Sequence, residues 1–292
     1  MNAPNLSNEN KEELGQNKLQ NFLANIKSNF ILKKIFANTH KIKFLSLIKY
    51  NKSFQKRLNI TTYDYKEYSK IEIEIIPKEC GKGQFIHIKE KDKPYYHIYF
   101  NNNKNETQIY NLPKGIKVEK IKVLIDYQVD SFNGLFFYCD NIKSINFIRF
   151  SRSNIIDMHS MFNRCKSLNK LNLSNFNTKN VKDMSNMFYK CNSLEELNLA
   201  NFNTNNVTNM SNMFYKCKLL KKLNLSNVNI DKVDNLNGMF SKCNLLFYLN
   251  FPNFKISDNN YFRGMFYKCP TILKMKFKNT YPNLEAKEAF KH

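Results

Sequence analysis

The sequence has no apolar run near the roughly 20 residues that a membrane-spanning helix needs. Residues 1–23 are polar and interrupted by Asn, Glu and Gln, so they lack the apolar stretch of a secretion signal. We therefore expect no transmembrane segment and a cytoplasmic location. Glycine and proline are scarce, with seven of each in 292 residues, so another residue type must form most turns.

The motifs of several enzyme classes are also absent from the sequence. Gly81-Lys-Gly83 is too short for a Walker phosphate loop, and there is no nucleophile elbow, no Cys-x-x-Cys pair and no cluster of catalytic carboxylates. His87 and His97 lie in predicted strands without a carboxylate or cysteine in register, which favours ordinary sheet residues over metal ligands. We expect a protein that is not an enzyme and that uses no cofactor and no metal.

Positive charge is in large excess, with 46 Lys and Arg against 24 Asp and Glu. The excess is spread evenly, at +10 over residues 1–126 and +12 over residues 127–292. A nucleic-acid footprint is normally a clustered stripe, so we expect no specific nucleic-acid partner. Weak, salt-sensitive attraction to a polyanion such as RNA or an acidic membrane stays open.

Six of the seven cysteines lie 26 residues apart without interruption. They are Cys139, Cys165, Cys191, Cys217, Cys243 and Cys269. A phenylalanine precedes each of them by three positions, and apolar residues follow each at three, six and eight positions. A constant interval of about 20–50 residues is typical of a solenoid, in which each unit covers the apolar side of its neighbour.

Each unit can be divided into three parts. Cys191–Leu199 ends in Leu-x-Leu, an alternation that predicts a short strand with both leucines pointing inward. Residues 201–206 are rich in Asn, which tolerates positive φ and bonds its own backbone, so we expect Asn to form the corners. In Val207–Cys217 the apolar spacing of three, three, one and three predicts a short α or 3₁₀ helix.

This unit resembles the leucine-rich repeat of the BspA-like, or mycoplasma-lipoprotein, type over about residues 129–279, most closely in Val181–Leu199 and Val207–Leu225. The resemblance implies an α/β fold, a right-handed leucine-rich-repeat solenoid with a parallel sheet on its concave side. Members of that family are often surface proteins that bind host or matrix proteins, so a surface adhesin exported without a classical signal is one alternative function.

The cysteine column has three interpretations. Parallel side chains do not converge on one point, as zinc ligands must. Neighbouring strands bring Cα atoms within disulfide range, but parallel side chains keep Cβ atoms farther apart than a disulfide prefers. We favour small, buried and reduced apolar residues. Cys80 lies outside the register.

Two outward-facing columns on the strands are candidates for partner binding. Between the inward leucines lie Asn172, Asn198, Asn224 and Asn250, and two positions earlier lie Lys170, Glu196, Lys222 and Tyr248. Stacked amides can bond one another as a ladder, a structural role as consistent with the pattern as ligand contact. Variation on a regular scaffold is where specificity can lie, so we predict an unidentified protein partner on this surface.

The predicted surface is small. Six strands about 4.8 Å apart and about 17 Å long give about 500 Å², below the roughly 800 Å² per partner of a standard interface. The repeats alone should therefore hold a partner weakly, and we expect a monomer. In the last unit, Met275-Lys-Phe277 replaces Leu-x-Leu, which predicts a terminal strand with charge at Lys276 and Lys278.

The first half of the chain has a different pattern. Within residues 19–58 apolar residues recur at helical spacing, and Phe30–Phe36 and Phe44–Tyr50 are faintly similar to an F-box, which implies a ubiquitin-ligase substrate adaptor as an alternative function. Alternating residues then predict strands that cover the first end of the solenoid. These strands are Ile71–Ile75, Phe85–Ile88, Tyr96–Phe100 and Ile121–Ile125.

These patterns divide the chain into five segments. They are a disordered tail at 1–17, a helical segment at 18–60, a β-rich capping region at 61–126, the leucine-rich-repeat solenoid at 127–280 and a C-terminal tail at 281–292. The leading functional hypothesis is a non-enzymatic protein–protein interaction module.

Overall fold

The computed structural model describes residues 22–38, 45, 48, 51–79, 81–251, 261–280 and 286–291. The chain divides into two compact units, 1–69 and 70–292. It is a mixed α/β protein in which most of the regular structure of the second unit is β. The predicted disordered tail and Cys80 lie outside the described residues.

The described residues of the first unit are mainly helical. Helices α1 (Asn29–Asn38), α2 (Lys52–Leu58) and α3 (Thr62–Ser69) belong to it, and Asn51 caps α2 by accepting a hydrogen bond from the Phe54 N–H. Its core is separate from that of the second unit. The buried members of this core are Leu23, Leu32, Leu45, Ile48, Phe54 and Leu58.

The second unit begins with a mixed sheet. Its strands are β1 (Ile71–Pro77), β3 (Tyr96–Phe100), β5 (Ile121–Ile125), β6 (Ile142–Arg149) and β7 (Lys170–Asn172), in the order β3-β5-β1-β6-β7. Only β6 and β7 run parallel, because the strands before the repeats pair antiparallel. The β-rich region therefore covers the first repeat strand, as expected.

The predicted strand Phe85–Ile88 is wrong. Only Gly83–Gln84 forms a strand, β2, which pairs with β4 (Asn111–Leu112). Phe85 and Ile86 are both fully buried, which a strand with one covered face does not allow for consecutive residues. The same correction removes His87 from a strand, whereas His97 lies on β3 as expected.

The repeats pair side by side in register. Strands β8 (Glu196–Asn198), β9 (Lys222–Asn224) and β10 (Tyr248–Asn250) form a parallel sheet, with each residue opposite the one 26 positions later. A second line of parallel bridges joins the units at the same interval, from Ser131 to Tyr261. The periodicity of the sequence is therefore present in space.

The segment between the Asn-rich corner and the cysteine consists of turns, so the predicted α or 3₁₀ helix is wrong. Alternate N–H groups donate to the next unit instead of closing a helix. The donors Met184, Asn186, Phe188 and Lys190 reach the carbonyl groups of Asn209, Ser211, Met213 and Tyr215 at 2.7–3.0 Å. The N–H groups in between close turns three residues back, for example from Cys191 to Phe188.

The Asn-rich corners are held by side chains. The amide of Asn201 donates to the Leu173 carbonyl of the preceding unit at 2.9 Å, and that of Asn227 donates to Ala200 at 2.7 Å. Positive φ occurs elsewhere, in the turn segment, for example at Asn186 and Asn212. Asn thus forms the corners by bonding the neighbouring unit, and the expected positive φ at these corners is wrong.

The last unit ends in helices. Residues 271–280 form α4 (Thr271–Thr280), so the predicted strand at Met275–Phe277 is wrong. Its buried residues Leu273 and Phe277 are four positions apart, which is a helical spacing. This spacing is missed when Met275-Lys-Phe277 is aligned with the Leu-x-Leu of the earlier units. Helix α5 (Ala286–Phe290) lies beside the last turn segment, where its carbonyl groups accept the N–H groups of Gly264 and Phe266.

The core of the repeats consists of stacked columns. The rings of Phe162, Phe188 and Phe214 lie 5.3–5.4 Å apart and nearly parallel. The six periodic cysteines are free and buried, which confirms the predicted burial. The thiols of Cys191 and Cys217 each donate to a phenylalanine carbonyl one unit back, at 3.0 Å.

Candidate functional site

An open groove lies on the outward side of the short parallel strands, where partner binding is predicted. We call the eight predicted residues the sheet face: Lys170, Asn172, Glu196, Asn198, Lys222, Asn224, Tyr248 and Asn250. The groove has a volume of about 790 Å³, and six of these eight residues line it. Lys170 and Asn250 are exposed on the same strands but are not among its lining residues.

The groove lies at a break between two sheets. Strand β7 pairs with β6, and β8 pairs with β9, but β7 and β8 have no ladder between them. Beneath the polar residues, Leu171, Leu197 and Leu223 provide an apolar floor. Sequence reasoning treats all units alike and therefore missed this break.

The asparagines of the sheet face have a mixed role. The amide of Asn172 donates to Asn146 at 2.9 Å, and that of Asn250 donates to Asn224 at 3.2 Å, so only part of the expected ladder forms. The Asn198 oxygen accepts the Ala200 N–H at 3.1 Å, which fixes the turn after β8. Among the described residues, the amide N–H groups of Asn198 and Asn224 have no hydrogen-bond acceptor.

Charges on the sheet face are partly paired. Lys222 and Glu196 lie on neighbouring strands and form an ion pair of 2.6 Å. The hydrogen bond that Lys222 donates to Glu196 raises the pKa of Lys222 above its usual value. Outside the sheet face, Lys221 and Glu195 form a similar pair at 2.8 Å. The middle of this surface is therefore close to neutral despite the basic composition.

Tyr248 lines the β10 end of the groove, and three more exposed apolar side chains lie just before β9 or β10 in sequence. Phe247 is 56% exposed and Tyr248 is 52% exposed, although both are large and apolar. Leu219 and Leu245 share one column in adjacent units and are also exposed. Phe247 is not among the predicted site residues. Its equivalents Glu195 and Lys221 are charged, so the change of residue type at this position is the signal in the sequence that could have identified it.

The six periodic cysteines do not form a second functional site. Burial raises the pKa of the Cys165, Cys217 and Cys243 thiols well above the usual value, which disfavours the thiolate that metals and electrophiles require. Among the described residues, no group of three or more His, Cys, Asp or Glu side chains could hold a metal ion. No helix in the described part of the chain could span a membrane.

These features define a repeat protein with an exposed, partly apolar groove on its strand side. The chain belongs to the family described as "Mycoplasma protein of unknown function, DUF285", which matches at residues 111–198, 130–250 and 195–287. The overlapping matches agree with the repeats, since each spans several 26-residue units. No curated protein and no solved structure matches this chain.

Proposed function

We propose that this chain is a non-enzymatic, monomeric interaction protein that binds a protein partner through the sheet face. We further propose that its repeats form a right-handed solenoid of the BspA-like leucine-rich-repeat type. The in-register parallel strands and the buried leucines Leu197, Leu223 and Leu249 support this proposal.

The main support for partner binding is the exposed Tyr248, which lines a polar groove, together with the exposed Phe247 next to it in sequence. Aromatic residues are enriched in protein interfaces, where an apolar centre is surrounded by polar groups. The amide N–H groups of Asn198 and Asn224 point to a partner that offers carbonyl or carboxylate acceptors. A protein segment with exposed main-chain carbonyl groups and an apolar side chain fits this combination.

The regular part of the surface is smaller than the sequence suggested. Strands β7 to β10 have three residues each, about 10 Å, and the sixth expected strand is α4. A partner must therefore extend beyond the strands, and Leu219 and Leu245 offer apolar area for this.

Site-specific photocrosslinking in the native cell tests this proposal. A photoreactive phenylalanine analogue replaces Tyr248 in one variant and Tyr261, which is 67% exposed but outside the sheet face, in the control. We expect a discrete crosslinked product from position 248 and none from position 261. Adding Phe247→Ser should reduce that product at least about fivefold, because one interface aromatic contributes about 1 kcal/mol or more.

Equal crosslinking from both positions, or an unchanged product after Phe247→Ser, would contradict partner binding at the sheet face. The adaptor, polyanion and adhesin hypotheses stay predictions, and the structure favours none of them over partner binding. A Skp1-like protein that co-purifies with the full chain would support the adaptor hypothesis. Immunolabelling of intact and permeabilised cells separates the cytoplasmic location from the surface alternative.

A further inference from the structure

One position, left-handed in all six repeats, carries Tyr138 in the first and a long cationic side chain in the other five. Five successive units place Arg164, Lys190, Lys216, Lys242 and Lys268 there, with φ between 54° and 64°. We call these five residues the cation column. The first four donate their backbone N–H to the next unit at 2.6–2.8 Å, so the column is held in register.

The backbone conformation does not explain these side chains. Four residues earlier in the same units, φ is also 53–63°, but the residues there are Ser160, Asn186, Asn212, Gly238 and Gly264. Gly and Asn are the types that a left-handed φ favours, whereas long side chains are disfavoured there. The first left-handed position therefore carries small residues, as its backbone conformation favours. The backbone conformation does not account for the cations at the second left-handed position.

The cation column lacks the paired carboxylates found on the sheet face and beside it. Among the described residues, none of its five members forms an ion pair, whereas Lys221 and Lys222 are each paired with a glutamate. Partial burial, followed by the charges of Arg164 and Lys216, lowers the pKa of Lys190. Like charges held side by side repel one another, and an anion placed along the column relieves this repulsion.

Tyrosine rings hold the cations in place. Tyr189 and Tyr215 stack at 4.9 Å, and Lys190 and Lys216 lie 5.1 Å and 5.5 Å from their own neighbouring rings. Lys242 lies 5.2 Å from the Tyr215 ring and donates to its hydroxyl at 2.9 Å. Because the ring faces contact one another and the cations, they are closed to a stacking base.

We propose that the cation column binds the phosphodiester backbone of single-stranded nucleic acid without reading its bases. With one cation per unit and about 5 Å between units, five cations form a row about 20 Å long. A single row follows one strand, whereas an acidic membrane is matched by a broad patch. Because the tyrosine faces are covered, the cation column recognises the nucleic acid by charge and not by base stacking.

Fluorescence anisotropy of a labelled oligo(U) of about 20 nucleotides, titrated with the full chain from about 50 mM salt upward, tests this proposal. The column variant carries Lys190→Asn, Lys216→Asn and Lys242→Asn. Asn tolerates left-handed φ, so this variant should fold, and its thermal unfolding verifies that. The matched control, Lys170→Asn, Lys222→Asn and Lys274→Asn, removes the same charge elsewhere.

We expect the column variant to lose at least about tenfold in affinity at low salt and the control less than about threefold. The slope of log K against log salt should fall by about two, since each single-strand phosphate contact contributes about 0.7. Equal losses in both variants would reduce the effect to overall charge and overturn the proposal.

Two further outcomes would also overturn it. The first is no binding of oligo(U) at low salt, or a strong preference among oligo(U), oligo(A) and oligo(C), which backbone recognition does not produce. The second is loss of binding to phosphatidylserine vesicles in the column variant while oligo(U) binding stays unchanged, which would assign the column to a membrane.

Discussion

At Gly238 a left-handed φ of 63° coincides with close packing against the turn segment of the preceding unit. A Cβ atom there would collide with the side-chain oxygen of Asn212. Asn212 occupies the equivalent position one unit earlier and also has positive φ, at 53°. The first left-handed position thus combines backbone strain with contact between units, which explains its small residues.

We predict that Gly238→Ala lowers the free energy of unfolding by about 1–2 kcal/mol, from left-handed strain plus the cost of turning the Asn212 amide away from the added Cβ. Gly115→Ala is the matched control, because Gly115 has φ of 76° but no atom within 4 Å of an added Cβ. Gly115→Ala should lower the free energy of unfolding by about 1 kcal/mol, from left-handed strain alone. Urea titration measures both, and equal losses would contradict a steric role for Asn212.

The asparagines also show what single residues contribute. Part of the amide ladder forms, yet the amides that join the units most regularly are those of the corner, such as Asn201. Asparagine, although abundant throughout the chain, thus makes specific hydrogen bonds between units. Composition could not separate these roles, because Asn occurs in corners, strands and turns alike.

At the scale of elements, α5 supplies the contacts that a further repeat would make. The carbonyl groups of Glu288 and Ala289 accept the N–H groups of Gly264 and Phe266, and Ala289 is fully buried. The segment sits in the predicted C-terminal tail, whose sequence has no repeat pattern. Burial of Ala289 shows that this short helix is packed against the last unit.

We predict that Ala289→Asp removes this contact, because a carboxylate cannot be buried there without a partner, at a cost of about 2 kcal/mol or more. Hydrogen exchange of the peptide that includes Gly264 and Phe266 should lose protection. Lys291→Ala removes only an exposed ion pair with Glu288 and serves as the control. Unchanged exchange in Ala289→Asp would show that α5 does not protect the last turn segment.

For the whole molecule, the stacked units should protect the buried thiols together. In a Cys80→Ser background, we predict that the six periodic cysteines react with a thiol reagent at least about 1,000-fold more slowly than in denaturant. Access requires unfolding, which typically costs about 5 kcal/mol or more. Cys269 should react first, because it lies in the last unit and is the most exposed of the six, at 6%.

Reaction of several of these thiols within the mixing time in native protein would contradict the stacking. The number of reactive thiols, measured at increasing denaturant concentration, also shows whether the units unfold together or one by one. Repeat proteins unfold one unit at a time when coupling between neighbours is weak. Burial raises the pKa of Cys269 to about 12, so its thiolate is scarce at neutral pH, and any direct reaction of the folded protein should accelerate about tenfold per pH unit.

Cations that are evenly spread along the sequence are brought together in the folded chain. Counted along the sequence, the cations form no cluster, which argued against a polyanion footprint. Stacking at a constant 26-residue interval brings Arg164, Lys190 and Lys216 into one row, although they are far apart in sequence. An evenly spaced cation becomes a stripe whenever the fold repeats with the same period.

The sequence by itself determined the repeat interval, the buried Phe and Cys columns, and three of the four N-terminal strands, because these depend on apolar spacing that any stacked arrangement must satisfy. Only the tertiary structure decided the turn segments, the break between β7 and β8 and the helices that end the repeats. Those features depend on backbone bonds to residues 25 or more positions away, or on closing an end where no neighbour follows. The local sequence pattern contains no information on either condition, so it could not predict these features.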